Sequence, residues 1–108
     1  MNEKDSPCPN AMTTSDMVQC FSKAKDSSDV TLAAFYDELL KQLDGDDAER
    51  LKAVQRFWTQ YRDANCSAER ALYEGGTAAP AVYLACLDAM TKARTKELRQ
   101  TYAVRLKQ

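Results

Sequence analysis

The chain has 108 residues, 44% of them hydrophobic and 29% charged, which is enough for one core, too apolar for disorder and too interrupted by charge for a membrane span of about 20 residues. Fifteen Lys and Arg against sixteen Asp and Glu leave a net charge of −1, so there is no cation excess to drive counterion release from nucleic acid. Histidine is absent, which removes the commonest general base and metal ligand; the expectation is a binding protein, not an enzyme, with no cofactor and no metal.

The N-terminal stretch Met1–Ser6 lacks the apolar run of an export signal, and Asp5-Ser6-Pro7 ahead of Cys8 is no lipidation site. Pro7 and Pro9 bracket Cys8 and forbid helix there, so residues 1–12 read as an extended arm and residues 13–108 as a single helical domain. Thr13, Thr14 and Ser15 are N-cap candidates with Asp16 behind them. An apolar stripe follows through Met17, Cys20, Phe21, Ala24, Leu32, Phe35, Leu39 and Leu43. It weakens at Asp26-Ser27-Ser28-Asp29, and one helix with a polar patch is the favoured reading over two.

Asp44-Gly45-Asp46-Asp47 supplies a glycine stop followed by an aspartate cap, the signal of a short turn between antiparallel helices. A second helix runs to about Tyr73 with the stripe Leu51, Val54, Trp58, Tyr61, Asn65, Ala68 and Leu72. Glu74-Gly75-Gly76-Thr77 ends it, and Pro80 suits the first turn of a third helix carrying Tyr83, Cys86, Leu87, Met90, Arg94, Leu98, Tyr102 and Leu106. No segment alternates with period two. The fold class is therefore all-α: an antiparallel up-down-up bundle of three long helices with an N-terminal arm, about 40 Å long at 1.5 Å per residue.

Cys8, Cys20, Cys66 and Cys86 are even in number and include no Cys-x-x-Cys pair, which favours two disulfides over zinc or redox chemistry. Disulfides imply an oxidising compartment. With no export signal at Met1, the expectation is a mature form, signal peptide removed, that is periplasmic or secreted. Charge is unevenly divided: five basic and eleven acidic residues in 1–50, ten and five in 51–108.

Arg94 falls on an apolar stripe where leucine is expected, and a buried guanidinium needs a carboxylate, for which Asp29 and Asp63 are the candidates in a structural ion pair. Trp58, Tyr61, Tyr83 and Tyr102 read as core aromatics, and Thr91 and Ser67 have no base to make them nucleophiles. The double glycine in Glu74-Gly75-Gly76-Thr77 exceeds what a simple turn requires, and two readings stand: bare backbone that approaches a partner or takes positive φ twice, or a glycine C-cap with a spare. Asp44, Asp46 and Asp47 cap a helix and also form an acidic tip, without the twelve-residue ligand spread of a calcium loop.

Several of these residues together resemble the LprI-like lysozyme-inhibitor family of bacterial envelope proteins. They are Cys8-Pro9-Asn10-Ala11-Met12-Thr13 leading to Asp16-Met17 and Cys20, then Gln55-Arg56-Phe57-Trp58-Thr59-Gln60-Tyr61-Arg62-Asp63 with Cys66, then Gly75-Gly76-Thr77, Cys86 and Thr91-x-x-Arg94-x-x-x-Leu98. Two departures are Leu32-Ala33 ahead of Phe35-Tyr36, where family members commonly have Leu-Asn before the tyrosine, and Thr77 where serine is usual. The resemblance implies export and a protein partner, a lysozyme-type hydrolase; an envelope scaffold module is the alternative. Partner-binding residues are then expected at Glu74, Gly75, Gly76 and Thr77, with Asp44, Asp46 and Asp47 steering association. Cys66 lies nine residues before Gly75 and Cys86 six after Pro80, which favours Cys66–Cys86 with Cys8–Cys20. Counted along the helices from the two turns, Cys20, Cys66 and Cys86 fall within about two turns of one level near the lower end, so Cys20–Cys86 with Cys8–Cys66 stands as the alternative.

Overall fold

The computed structural model describes residues 7–106; the reading of Met1–Ser6, including the first half of the arm, lies outside the described residues. Helix α1 spans Thr14–Gln42. Thr13 caps it reciprocally: its Oγ1 accepts from the Asp16 N–H at 2.9 Å, and its own N–H donates to Asp16 Oδ2 at 3.3 Å. The polar patch does not break the helix. Ser28 is buried there, with its hydroxyl in reach of the Ala24 carbonyl at 3.0 Å and of Asp88 on the next-but-one helix.

Helix α2 spans Gly45–Ala71, capped by Asp44, whose Oδ1 accepts from the Asp47 N–H at 2.7 Å. Helix α3 spans Ala79–Thr101 with Pro80 in its first turn. The third helix does not run unbroken to Leu106 as its stripe led one to expect: the chain leaves helical geometry at Tyr102 and resumes as the single turn α4, Ala103–Leu106. Tyr102 and Leu106, on either side of the break, both pack on the cluster of Leu32, Leu39, Leu51 and Leu98. The molecule measures 47 × 25 × 19 Å.

Helix α3 is the spine, packed extensively along α1 and less along α2, while α1 and α2 hardly touch. The leucine cluster fills the upper end, and burying each such side chain is worth about 1.5–3 kcal/mol. Phe21, Ala81 and Ala85 fill the lower end beside Cys66, Cys86 and Leu87. Between the two lies a polar layer of Ser28, Asp88, Thr91, Arg94 and Thr95, all buried.

The disulfides are Cys8–Cys20 and Cys66–Cys86, with Cα separations of 6.0 and 5.6 Å. The first ties the arm to α1 and the second ties α2 to α3. The stripe expected on α2 needs correction. Leu51, Trp58 and Cys66 turn inward together with Gln55 and Arg62, whereas Val54, Tyr61, Asn65, Ala68 and Leu72 are exposed. The inward face of α2 is partly polar because it meets the polar layer of α3.

Candidate partner-binding site

At the lower end α2 unwinds through successive tight turns: the N–H groups of Leu72, Tyr73 and Glu74 donate to the carbonyls of Glu69, Arg70 and Ala71, and that of Gly76 to Tyr73. Gly75 then adopts φ 87°, where a side chain would be strained although nothing lies within 4 Å of a Cβ built on it. Gly76 is the tighter of the two, since a Cβ there would lie 3.3 Å from the Tyr73 carbonyl oxygen. Both glycines thus have a local reason. Glu74, Gly75, Gly76, Thr77 and Ala78 are all exposed, and Ala79 is the first buried residue after them.

This turn is anchored from both sides. Cys66–Cys86 closes the hairpin above it, Cys66 being fully buried, and Met90 Sδ lies 3.7 Å from Cys66 Sγ. Arg70 sits with its guanidinium 5.3 Å from the Tyr83 ring centroid. A depression of about 380 Å³ opens beside the turn, lined by Arg70, Glu74, Gly75, Gly76 and Pro80 among others. A second groove, about 500 Å³, runs between α1, α2 and α3 past Met17, Phe21, Tyr73, Ala85 and Met90.

The acidic tip lies at the other end of α2, about 40 Å away by helix rise. Its charge is largely spoken for. Asp44 accepts the Asp47 backbone N–H, which holds its carboxyl below the usual carboxylate range. Asp47 pairs with Arg50 at 2.9 Å and lies 4.0 Å from Arg105; Asp46 is exposed.

Arg94 is 8% exposed, but neither Asp29 nor Asp63 is its partner. Its Nε donates to Gln55 Oε1 at 3.0 Å and its NH1 pairs with Glu97 on the next turn of α3. Asp29 and Asp63 both go to Arg62 instead, at 3.5 and 2.9 Å. The reason is placement: Arg62 projects from the inward face of α2 between α1 and α3, where it also donates to Thr91 Oγ1 at 3.2 Å. Asp29 further holds Lys25 at 2.9 Å, and that hydrogen bond raises the lysine pKa above its ordinary value. Both guanidiniums lie within 6 Å of the Trp58 ring, Arg62 at 5.3 Å and Arg94 at 5.9 Å from its centroid. Asp88, absent from the sequence expectations, is 2% exposed and is held by Ser28 and by Lys92 at 3.0 Å. Its spacing four before Lys92 is the one sequence signal that could have marked it.

Among the described residues no helix is long and apolar enough to cross a membrane, and no group of three or more His, Cys, Asp or Glu is placed to hold a metal ion. The signature of the family described as lysozyme inhibitor LprI matches residues 6–98, taking in all four cysteines, the double glycine and Arg94. The chain belongs to the LprI lysozyme-inhibitor family. The shared LprI region therefore takes in the arm from residue 6 onward and most of the three-helix frame, and ends before the break at Tyr102. An uncharacterized protein of Rhizobium meliloti (strain 1021) is 38% identical over 52 residues, covering 48% of this chain. The match spans only 37% of that relative's length. No solved structure matches the chain.

Proposed function

We propose that this LprI-family chain is a periplasmic or secreted protein that binds a lysozyme-type peptidoglycan hydrolase and blocks its cleft through Glu74, Gly75, Gly76 and Thr77. Membership of an inhibitor family supports the activity, and two disulfides support an oxidising compartment. The observation that carries the choice of surface is the exposed glycine turn, fixed in place by the Cys66–Cys86 bridge at one end of a rigid bundle.

A glycan cleft accepts a narrow extended object, and helices offer only broad cylinders. The turn offers bare backbone at Gly75 and Gly76, followed by the Thr77 hydroxyl, which can donate to one of the two carboxylates that glycoside hydrolases place in their clefts. Pre-organisation by the disulfide lowers the ordering cost of binding. The acidic tip fits a lesser role, since Asp44 and Asp47 are engaged within the fold. The test is a turbidity assay of lysozyme on bacterial cell walls with titrated protein. Saturable, stoichiometric inhibition is expected, and undiminished lysis at excess protein would reject the reading.

A further inference from the structure

We infer that the groove between α1, α2 and α3 at the lower end takes a side-chain pair of a protein partner, a Lys or Arg beside a large apolar residue, and that the lysozyme-type hydrolase supplies it. The second half rests on the function proposed above; the chemistry of the groove does not. At about 500 Å³ the groove falls within the roughly 300–1,000 Å³ of ligand pockets. It exists because α1 and α2 hardly touch, which leaves the side of α3 between them open. Ala81, Ala85 and Ala89, about one per turn of α3, are too small to fill the space, and Met17 and Phe21 on α1 and Tyr73 beyond α2 form its sides. Met17 and Tyr73 stay 40% and 47% exposed, so the fold alone does not cover this apolar lining.

Charge decides the class of occupant. Among the described residues on its wall Glu69 carries the only formal charge, and its carboxylate has no hydrogen bond or ion pair. Asn65, one turn earlier on α2, lines the same wall. Its amide Nδ2 is turned to the sulfurs of Met90 and Cys86 at 3.3 and 3.7 Å, which leaves its Oδ1 without a donor. The neighbouring cation, Arg70, lies about 100° further round the helix over the Tyr83 ring and does not line the groove. Two acceptors at the rim of an apolar cleft fit an ammonium or guanidinium carried beside an apolar body, whereas an anionic amphiphile would meet Glu69 with like charge. Continuity selects a protein as the carrier. Tyr73 and Ala78 line the groove and stand immediately before and after residues 74–77, so a hydrolase seated on that turn lies over the groove and brings its own side chains to it.

Two measurements test this, the first without lysozyme. The protein is titrated by NMR with N-acetyl-phenylalanylarginine amide and with its glutamate analogue, each to on the order of 10 mM. The arginine peptide is expected to shift the methyl resonances of Met17, Ala85 and Ala89, with the glutamate analogue at least about fivefold weaker. Glu69→Gln should remove most of that preference. Ala89→Trp, at an exposed position, sets an indole back over Ala85 and Cys86 and should abolish binding, while Gly75→Val should leave it unchanged. In the second measurement, the turbidity assay, Ala89→Trp should raise the inhibition constant about tenfold or more, with circular dichroism checking that the helices are intact. No peptide shifts, or equal shifts from both peptides, overturn the inference, as does full lysozyme inhibition by Ala89→Trp. Selective peptide binding by a parent chain that leaves lysozyme active upholds the basic and apolar specificity of the groove and overturns the hydrolase as its source.

Discussion

Nε of Arg94 donates to Oε1 of Gln55 at 3.0 Å, joining α3 to α2 at a level where neither Asp29 nor Asp63 reaches it. The energetic consequence differs from that of a buried ion pair. Removing Arg94 strands no buried carboxylate, because Glu97 is 62% exposed and can turn to water. Arg94→Ala is expected to cost about 1–2 kcal/mol, the range of a lost hydrogen bond and stem packing, below the roughly 3–5 kcal/mol of a broken buried pair. Urea unfolding measures it, and combination with Asp63→Asn should be additive, since Asp63 belongs to Arg62.

Asp88 is the residue whose partner matters more. It is a buried carboxylate held by one exposed-stem lysine and one serine hydroxyl. Lys92→Met keeps the stem and removes the charge, leaving the carboxylate uncompensated, and should destabilise by about 3 kcal/mol. Asp88→Asn placed in the same chain should recover most of that loss. A Lys92→Met variant as stable as the parent would contradict this account.

The contrast between Arg94 and Asp88 shows what the sequence carries. The three long helices, the two turns, Thr13 among the cap candidates of α1 and the favoured disulfide pairing were legible, because each depends on residues close in sequence or on counting turns from an end; at the upper turn, by contrast, the glycine read as a stop is the first residue of α2, and Asp44 before it is the cap. The inward face of α2 was not. Hydrophobic spacing pointed to Val54, Tyr61 and Leu72, but the face that packs carries Gln55 and Arg62, whose partners Arg94, Thr91 and Asp29 lie on other helices. A polar layer is invisible to an apolar count: the sequence places Ser28 in a polar patch of one continuous helix, but nothing in it shows that the serine is buried against Asp88. The glycine turn was visible as a motif, and the positive φ at Gly75, which glycine adopts without strain, gives it a backbone cause.

Acid should weaken the upper turn in a defined way. The Asp47 N–H bond holds the Asp44 carboxyl below its ordinary value in the folded chain, so the folded state favours the ionised form. That contribution is fully present above the unfolded carboxylate value of about 4 and is lost as pH falls through the depressed folded value. Asp44→Asn keeps a capping oxygen without the titration, so its melting temperature should fall less steeply with acid than that of the parent. Parallel curves would contradict the assignment.

The Cys66–Cys86 bridge compensates for the thin packing of α2. Closing a loop of sequence separation 20 is worth about 3 kcal/mol by the chain-entropy argument. Replacing both cysteines by serine should lower stability by that amount and raise hydrogen exchange in the lower half of α2, whose only buried side chain there is Cys66. The Cys8–Cys20 pair, removed in the same way, should loosen the arm and leave α2 protected. Exchange that rises equally throughout the chain in both variants would show that neither bridge acts locally.

Inhibition itself should discriminate between the two ends of α2. Gly75→Val forces a β-branched residue into φ 87°, and Gly76→Val sets a Cβ 3.3 Å from the Tyr73 carbonyl oxygen, so each reshapes the turn while the disulfide above it holds the helices. The pair of substitutions is expected to abolish lysozyme inhibition with the bundle still folded by circular dichroism. Thr77→Val, which removes only the hydroxyl, should weaken it about tenfold, the equivalent of one hydrogen bond of roughly 1.4 kcal/mol. Neutralising Asp46 to Asn should act on association rate alone and chiefly at low salt, because Asp44 and Asp47 already serve the α2 cap and Arg50. If instead the Asp46→Asn chain loses inhibition while the valine pair inhibits normally, the protein engages the basic outer surface of its target through the upper turn. The cleft-plugging role of Gly75 and Gly76 would then be wrong.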